Sequence, residues 1–295
     1  MNTETVIKGR SLWSDARRRF FQNKAAVAGV IALTCIVLIS FIGPYFAVWS
    51  FEEIDWDTMG SAATLGKPSF ASGHFFGTDD LGRDLYSRVL QGTRVSLKVG
   101  IIGAGIAVIV GTVYGTVAGY VGGSTDQIMM RIVDVLMSIP FMFVLILLLV
   151  IFGRSETMIF IGIGMFAWLD MSRIVRGQTL TLKNKEFVEA ARATGVSTPT
   201  IIRRHIVPNL LGIVAIYATL LVPAMILTES FISFLGLGVQ EPKTSWGALI
   251  SEGAGTIRYD TEWQLLFPLA FFVITLFSFF FIGDGLRDAL DPKDR

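Results

Sequence analysis

Apolar residues are gathered into six long blocks separated by polar segments. The blocks run Ala25–Trp49, Ser96–Tyr120, Ile132–Phe152, Met158–Met171, Leu210–Thr228 and Leu265–Gly283. Five of them come near the roughly 20 residues that carry a helix across about 30 Å of hydrocarbon. The fourth is shorter and ends beside Asp170. The pattern predicts an all-α polytopic membrane protein with six transmembrane helices. The first block follows a basic flank (Arg17, Arg18, Arg19, Lys24), as a signal peptide does. Its apolar run outlasts the about 7–15 residues of a signal core, and no small-x-small cleavage site follows, so it reads as a retained anchor.

Composition agrees with the pattern. Of 295 residues, 52% are hydrophobic and 17% charged, against about 25% charged in a soluble domain, and mean hydropathy is +0.60. This excludes a disordered chain, a disulfide scaffold and a nucleic-acid binder. Net charge is +1, which suggests no polyanionic partner, and the one cysteine, Cys35, lies within an apolar block.

The distribution of charge gives an orientation. Lys8, Arg10, Arg17, Arg18, Arg19 and Lys24 crowd the first tail, while Arg173, Arg176, Lys183, Lys185, Arg192, Arg203 and Arg204 crowd the segment between blocks four and five. Basic segments stay cytoplasmic. Both termini and that segment are therefore expected inside, and the acidic stretch after block one (Glu52, Glu53, Asp55, Asp57) outside.

Within the blocks, Gly111, Gly115 and Gly119 fall on one helical face, continued by Gly103, Ala104 and Ala107. Such a face lets two backbones approach closely, either within the chain or against a partner subunit. Pro140 and Pro223 are expected to interrupt blocks three and five. Arg131, Asp134, Asp170, Arg173 and Glu229 all fall near block ends. A proton- or ion-driven carrier needs titratable groups at mid-membrane, so the pattern predicts no buried carboxylate and an energy source elsewhere. It also argues against an intramembrane enzyme. His74 and His205 have no metal-ligand spacing. The stretch from Gly60 to Pro68 imitates a phosphate-binding loop, but Pro68 stands where Ser or Thr must hold magnesium. No ATP hydrolysis is expected of this chain.

Lys185–Pro208 is the most informative segment. Glu186–Thr194 is helix-forming, with Phe187, Ala190, Ala191 and Thr194 at i, i+3, i+4, i+7 spacing. Gly195 is placed to end that helix in the left-handed conformation. Ser197 or Thr198 caps a second helix, Pro199 sits in its first turn, and Pro208 is expected to interrupt it. The result is a helical hairpin projecting into the cytosol as a docking surface.

Glu189-Ala190-Ala191, Gly195 and Ile206-Val207-Pro208 resemble the EAA loop of ABC-importer permeases, with His205 and Val207 as departures. The stretches Phe76–Asp84, Ser233–Gln240, Ser245–Gly247 and Gly283–Pro292 are similar to motifs of the peptide and nickel permease group. Gly9–Phe20 and Trp168–Gln178 narrow the likeness to C-type permeases of bacterial oligopeptide importers. Glu241 departs from a proline common in the wider group.

The resemblance implies a type I ABC importer permease fold in the bacterial inner membrane. It divides the chain into a cytoplasmic tail (1–24), a peripheral helix (25–49), an external segment (50–92), a permease core (93–283, with the EAA loop at 185–208) and a second tail (284–295). It implies a homologous B-type permease, two ABC ATPase subunits, an extracytoplasmic peptide-binding protein, membrane lipid and peptide substrate as partners. This chain would bind no cofactor, ATP and magnesium being held by the ATPase subunits. Glu186, Glu189, Ala190, Ala191 and Gly195 would couple to those subunits. Asp79, Arg83 and Asp84 would either dock or gate the binding protein or pair internally to shape their loop. Alternatives are the same role with dipeptides or nickel as cargo, a proton-coupled peptide carrier, or a membrane scaffold.

Overall fold

The computed structural model describes residues 12–290. The residues before and after them, with parts of the two terminal motifs, lie outside the described region. Helix α1 (Leu12–Gln22) leads to α2 (Lys24–Ile42) through Asn23, whose Oδ1 accepts the N–H groups of Ala25 and Ala26 at 3.1 Å. Then come α3 (Ala62–Leu65), α4 (Leu85–Val121), α5 (Gly123–Ser138), α6 (Phe141–Phe152), α7 (Glu156–Leu182), α8 (Glu186–Ala193), α9 (Thr198–Ile201), α10 (Val207–Phe234), α11 (Trp246–Thr256) and α12 (Trp263–Leu290). The described residues contain no strand, only isolated bridges such as Ile54 with Arg83.

Five helices are long and apolar enough to cross a membrane, and α5 with α6 makes a sixth span if the bent pair counts as one. Several ends differ from the expectation. α4 begins at Leu85, well before Ser96, because Arg88 and Thr93 are buried, meeting Glu252 and Trp246 of α11, and break the apolar run without breaking the helix. The third span is divided. Proline disfavours a helical residue before it, Ile139 is extended, and α5 and α6 diverge by 74°. Pro223, expected to interrupt its block, lies inside an unbroken α10.

Pro208 does not end the hairpin's second helix either. A π turn over Ile202–Ile206 carries the chain from α9 into α10, with the Val207 N–H bonded to the Ile202 carbonyl. Proline has no N–H to contribute and crowds the carbonyl four residues back. The widened turn and a position at the start of α10 accommodate both.

α4 and α7 run side by side in the same direction. Lys98 meets Glu156 near one end, Gly111 faces Met171, and Lys183 reaches Gly119 near the other. The glycine stripe is the seam. A Cβ at Gly111 would stand 2.6 Å from Met171 Cβ, one at Gly119 2.8 Å from the Arg176 carbonyl oxygen, and one at Gly115 on the Ser172 carbonyl oxygen. The small face is therefore consumed within the chain rather than offered to a partner.

Two sequence expectations about charge are corrected. α7 extends to Leu182, so Asp170 stands near its middle and not at its end. Glu229 is fully buried. Its carboxylate accepts from Ser233 Oγ (2.6 Å), Ser96 Oγ (3.0 Å) and Ser230 Oγ (3.4 Å). The carboxylate thus ties α10 to α4, while Ser96 Oγ also accepts the Trp246 N–H at the start of α11. The apolar block stops short of Glu229, but the helix does not.

Candidate functional site

Two regions at opposite ends of the bundle carry the chemistry. At one end α8 is built from both its termini. Glu186 and Glu189 fall in the first turn and Arg192 in the last, each complementing the helix dipole. Gly195 takes φ +77°, its N–H bonds the Arg192 carbonyl, and the Val196 N–H bonds the Ala191 carbonyl. This paired closure requires a left-handed residue after the helix, a role suited to glycine.

The inner face of α8 is narrow. Val188 and Ala191 are buried in a cluster with Tyr120 of α4, Met171 and Val175 of α7, and Ile206, Leu210 and Val214. Arg192 lies over the Tyr120 ring at 5.1 Å and donates from Nε to its hydroxyl at 3.2 Å. Lys183 donates to the Gly119 carbonyl at 3.0 Å. Three membrane helices thus grip the hairpin at its root. The other face is open: Glu186, Glu189, Ala190 and Gly195 are exposed, and Phe187 is 41% exposed. Of the stripe predicted from spacing, only Ala191 points inward. Among the described residues neither Glu186 nor Glu189 has an ion-pair partner.

At the other end, segments 43–84 and 235–262, which include α3 and α11, form a polar lobe. Asp79, Arg83 and Asp84 are all buried there. Arg83 Nε donates to Asp79 Oδ2 at 2.7 Å, and its Nη1 donates to Glu241 Oε1 at 2.6 Å. Arg88 Nη2 donates to Glu252 at 2.9 Å. Burial disfavours the Arg83 charge, but Asp79 and Glu241 outweigh it and hold the guanidinium above its ordinary value. The hydrogen bond from Arg83 holds the Glu241 carboxyl below the usual carboxylate range.

Asp84 stands apart from this set. It caps α4 by accepting the Ser87 N–H at 2.8 Å, and it faces His74 Nδ1 at 3.0 Å. Burial pushes its carboxyl up, against the pull of those bonds. His74 is itself buried, stacked on Trp49, with Asp55 Oδ2 3.3 Å from Nε2. Sequence reasoning set His74 aside as a ligand, noted Glu241 only as a departure from a proline and did not single out Arg88 or Glu252, since spacing cannot reveal partners far away in the chain. Among the described residues no group of three or more His, Cys, Asp or Glu side chains is gathered to hold a metal ion.

The chain can be placed among known proteins. Residues 111–295 match the model of binding-protein-dependent transport system inner membrane components. Residues 11–64 match the N-terminal transmembrane domain of oligopeptide transport permease C. The oligopeptide transport system permease protein OppC of Haemophilus influenzae is 56% identical, over 99% of this chain and 92% of that protein. The dipeptide transport system permease protein DppC of Bacillus subtilis is 44% identical, over 97% of this chain and 87% of that protein. Among solved structures, a chain of the MetNI methionine ABC transporter in inward facing conformations matches with a TM-score of 0.56. It is 18% identical and covers 68% of this chain and 95% of its own, a likeness of fold. The helical architecture is that of a type I importer permease, and the chain belongs to the multi-pass inner-membrane permease family of binding-protein-dependent ABC transport systems, in its OppC-like branch.

Proposed function

We propose that this chain is one of two permease subunits of an ATP-driven importer of oligopeptides, and that α8 is its contact with the ATPase subunits. A homologous permease would supply the other half of the pathway, and an extracytoplasmic binding protein would deliver the peptide. The hairpin end and both termini would face the cytoplasm, where the basic residues collect, and the polar lobe would face outward. Residues 93–283 would form the core, with α2 at its periphery.

One observation carries the reading. The hairpin is fixed to α4, α7 and α10 through Val188 and Ala191 while Glu186, Phe187, Glu189 and Ala190 stay free. A surface element so rooted transmits displacement to three membrane helices at once. ATP binding that closes the ATPase subunits would move α8 and switch the cavity between the permeases from inward- to outward-facing. This works only if ATP binds the closed arrangement more tightly. The Asp79–Arg83–Glu241 cluster would hold the outer lobe in shape for docking and gating, since its charges are spent on one another.

A cysteine at Ala190, in a Cys35→Ser background, is expected to crosslink to an ATPase subunit in the assembled importer. Crosslinking only to lipid or to the binding protein would sink the assignment. The dipeptide relative supports a second cargo, and uptake assays with peptides of graded length separate the two. A proton-coupled carrier would transport without ATPase subunits. Glu229 does not favour it, being fixed by three serine hydroxyls between packed helices.

A further inference from the structure

Asp170 stands near the middle of α7, a membrane-crossing helix. It is exposed, and among the described residues it has neither an ion-pair nor a hydrogen-bond partner. A bare carboxylate in hydrocarbon is costly, so such groups turn toward protein or a water-filled space.

The neighbouring space fits that requirement. Asp170 lines a cavity of about 330 Å³ with Met137, Pro140, Phe141, Phe166, Met225 and Thr228. The cavity opens where α5 and α6 part. Interrupted backbone at membrane depth is tolerated where it borders protein or water. Thr228 donates its hydroxyl hydrogen to the Ala224 carbonyl, which leaves its oxygen lone pairs as acceptors. The side-chain polar groups converging here are therefore acceptors, set in an apolar wall. From Asp170 toward the hairpin end, the seam of α5 and α7 continues with Arg173 on Asp134 and Arg176 on Asp126. Those cations are already paired, and Asp170 is left as an unsatisfied negative charge beside the seam.

We infer that Asp170 faces the transport pathway and receives the α-ammonium group of a passing peptide. The inference rests on the peptide-importer reading above and names one contact within it. A carboxylate with acceptor neighbours suits a cationic donor, and the apolar wall suits the side chains that follow. A single charge in a roomy, open cavity holds such a group weakly, as a passage requires.

The test uses the whole importer in proteoliposomes. Initial uptake of tri-alanine and of its N-acetyl form is measured at saturating binding protein for the native chain, Asp170→Asn and Asp170→Glu. Asp170→Asn is expected to lower uptake of the free-amine peptide about tenfold, the loss of one hydrogen bond between charged groups. Uptake of the acetylated peptide should fall far less, and Asp170→Glu should restore the preference. The same binding protein serves every variant, so its own selectivity cancels in the comparison. An unchanged ratio in Asp170→Asn overturns the inference. A collapse of complex yield in Asp170→Asn overturns it too, because it would assign Asp170 to a cation of the partner permease. In a Cys35→Ser background, a cysteine replacing Asp170 should react in the assembled complex with a membrane-impermeant cationic thiol reagent, and no reaction overturns the aqueous setting. No uptake of either peptide by the native importer would instead overturn the peptide-importer reading itself.

Discussion

The ammonium of Lys183 donates to the carbonyl of Gly119, so the end of α7 is clamped to the end of α4 where the hairpin begins. Together with Arg192 on Tyr120 and the buried Val188, this makes the root of α8 a junction of three helices rather than a free loop.

Val188→Ala is therefore expected to loosen that junction. Removing most of a fully buried valine side chain costs about 2 kcal/mol. ATP hydrolysis should continue, but its stimulation by loaded binding protein should fall, with complex yield as the control. Unchanged stimulation in vesicles would mean that the buried face of α8 carries no force.

Gly195→Pro changes a residue whose φ is +77° to one locked near −65°. The two bonds that close α8 are lost, and the exit of the hairpin is redirected. Assembly should survive while stimulated hydrolysis and transport are lost. Gly195→Asn tolerates the left-handed conformation better and should retain most of both.

Gly115→Ala places a methyl group on the Ser172 carbonyl oxygen. Backbone cannot yield as a side chain can, so α4 and α7 must separate, at a cost of about 1–3 kcal/mol. Thermal unfolding in detergent should register it. Gly105→Ala on the same helix meets nothing within 4 Å and should leave the melting temperature unchanged or slightly raised.

Arg83→Ala removes one cation from buried Asp79, which keeps the Leu81 N–H at 2.9 Å and Arg88 at 3.4 Å, and should destabilise the outer lobe by about 1.5–3 kcal/mol. Glu241 is the gentler probe. Its carboxyl is held below the usual range by Arg83, so the pair adds stability above the ordinary glutamate value and loses it as pH falls through the lowered one. Melting curves of the native chain and Glu241→Gln should differ at neutral pH and converge on acidification. A difference that persists at low pH would mean the ion pair is not its source.

Much of this was legible in the chain. The ends of α8 follow from Glu186 and Gly195, because caps and dipole preferences are local. The break at Pro140 is local as well, being a property of one residue and its predecessor. What depended on distant partners was not legible. The glycine stripe announces a close approach but cannot say that Ser172 is the neighbour. The role of His74 depends on Asp55 and Asp84, and that of Arg83 on Glu241 across much of the chain. Hydropathy also hid true lengths. Asp170 ends an apolar run but not a helix, and Glu229 lies past the run yet is fully buried.

The bend between α5 and α6 has a mechanical consequence. The lower half is tied to α7 by Arg176 on Asp126, while the upper half packs Leu145 and Leu149 against Ile159 and Ile163. Between the two anchorages the helical path is broken at Ile139 and Pro140. The chain therefore carries a knee between two separately fastened halves, and a change of angle there leaves the contacts on either side intact.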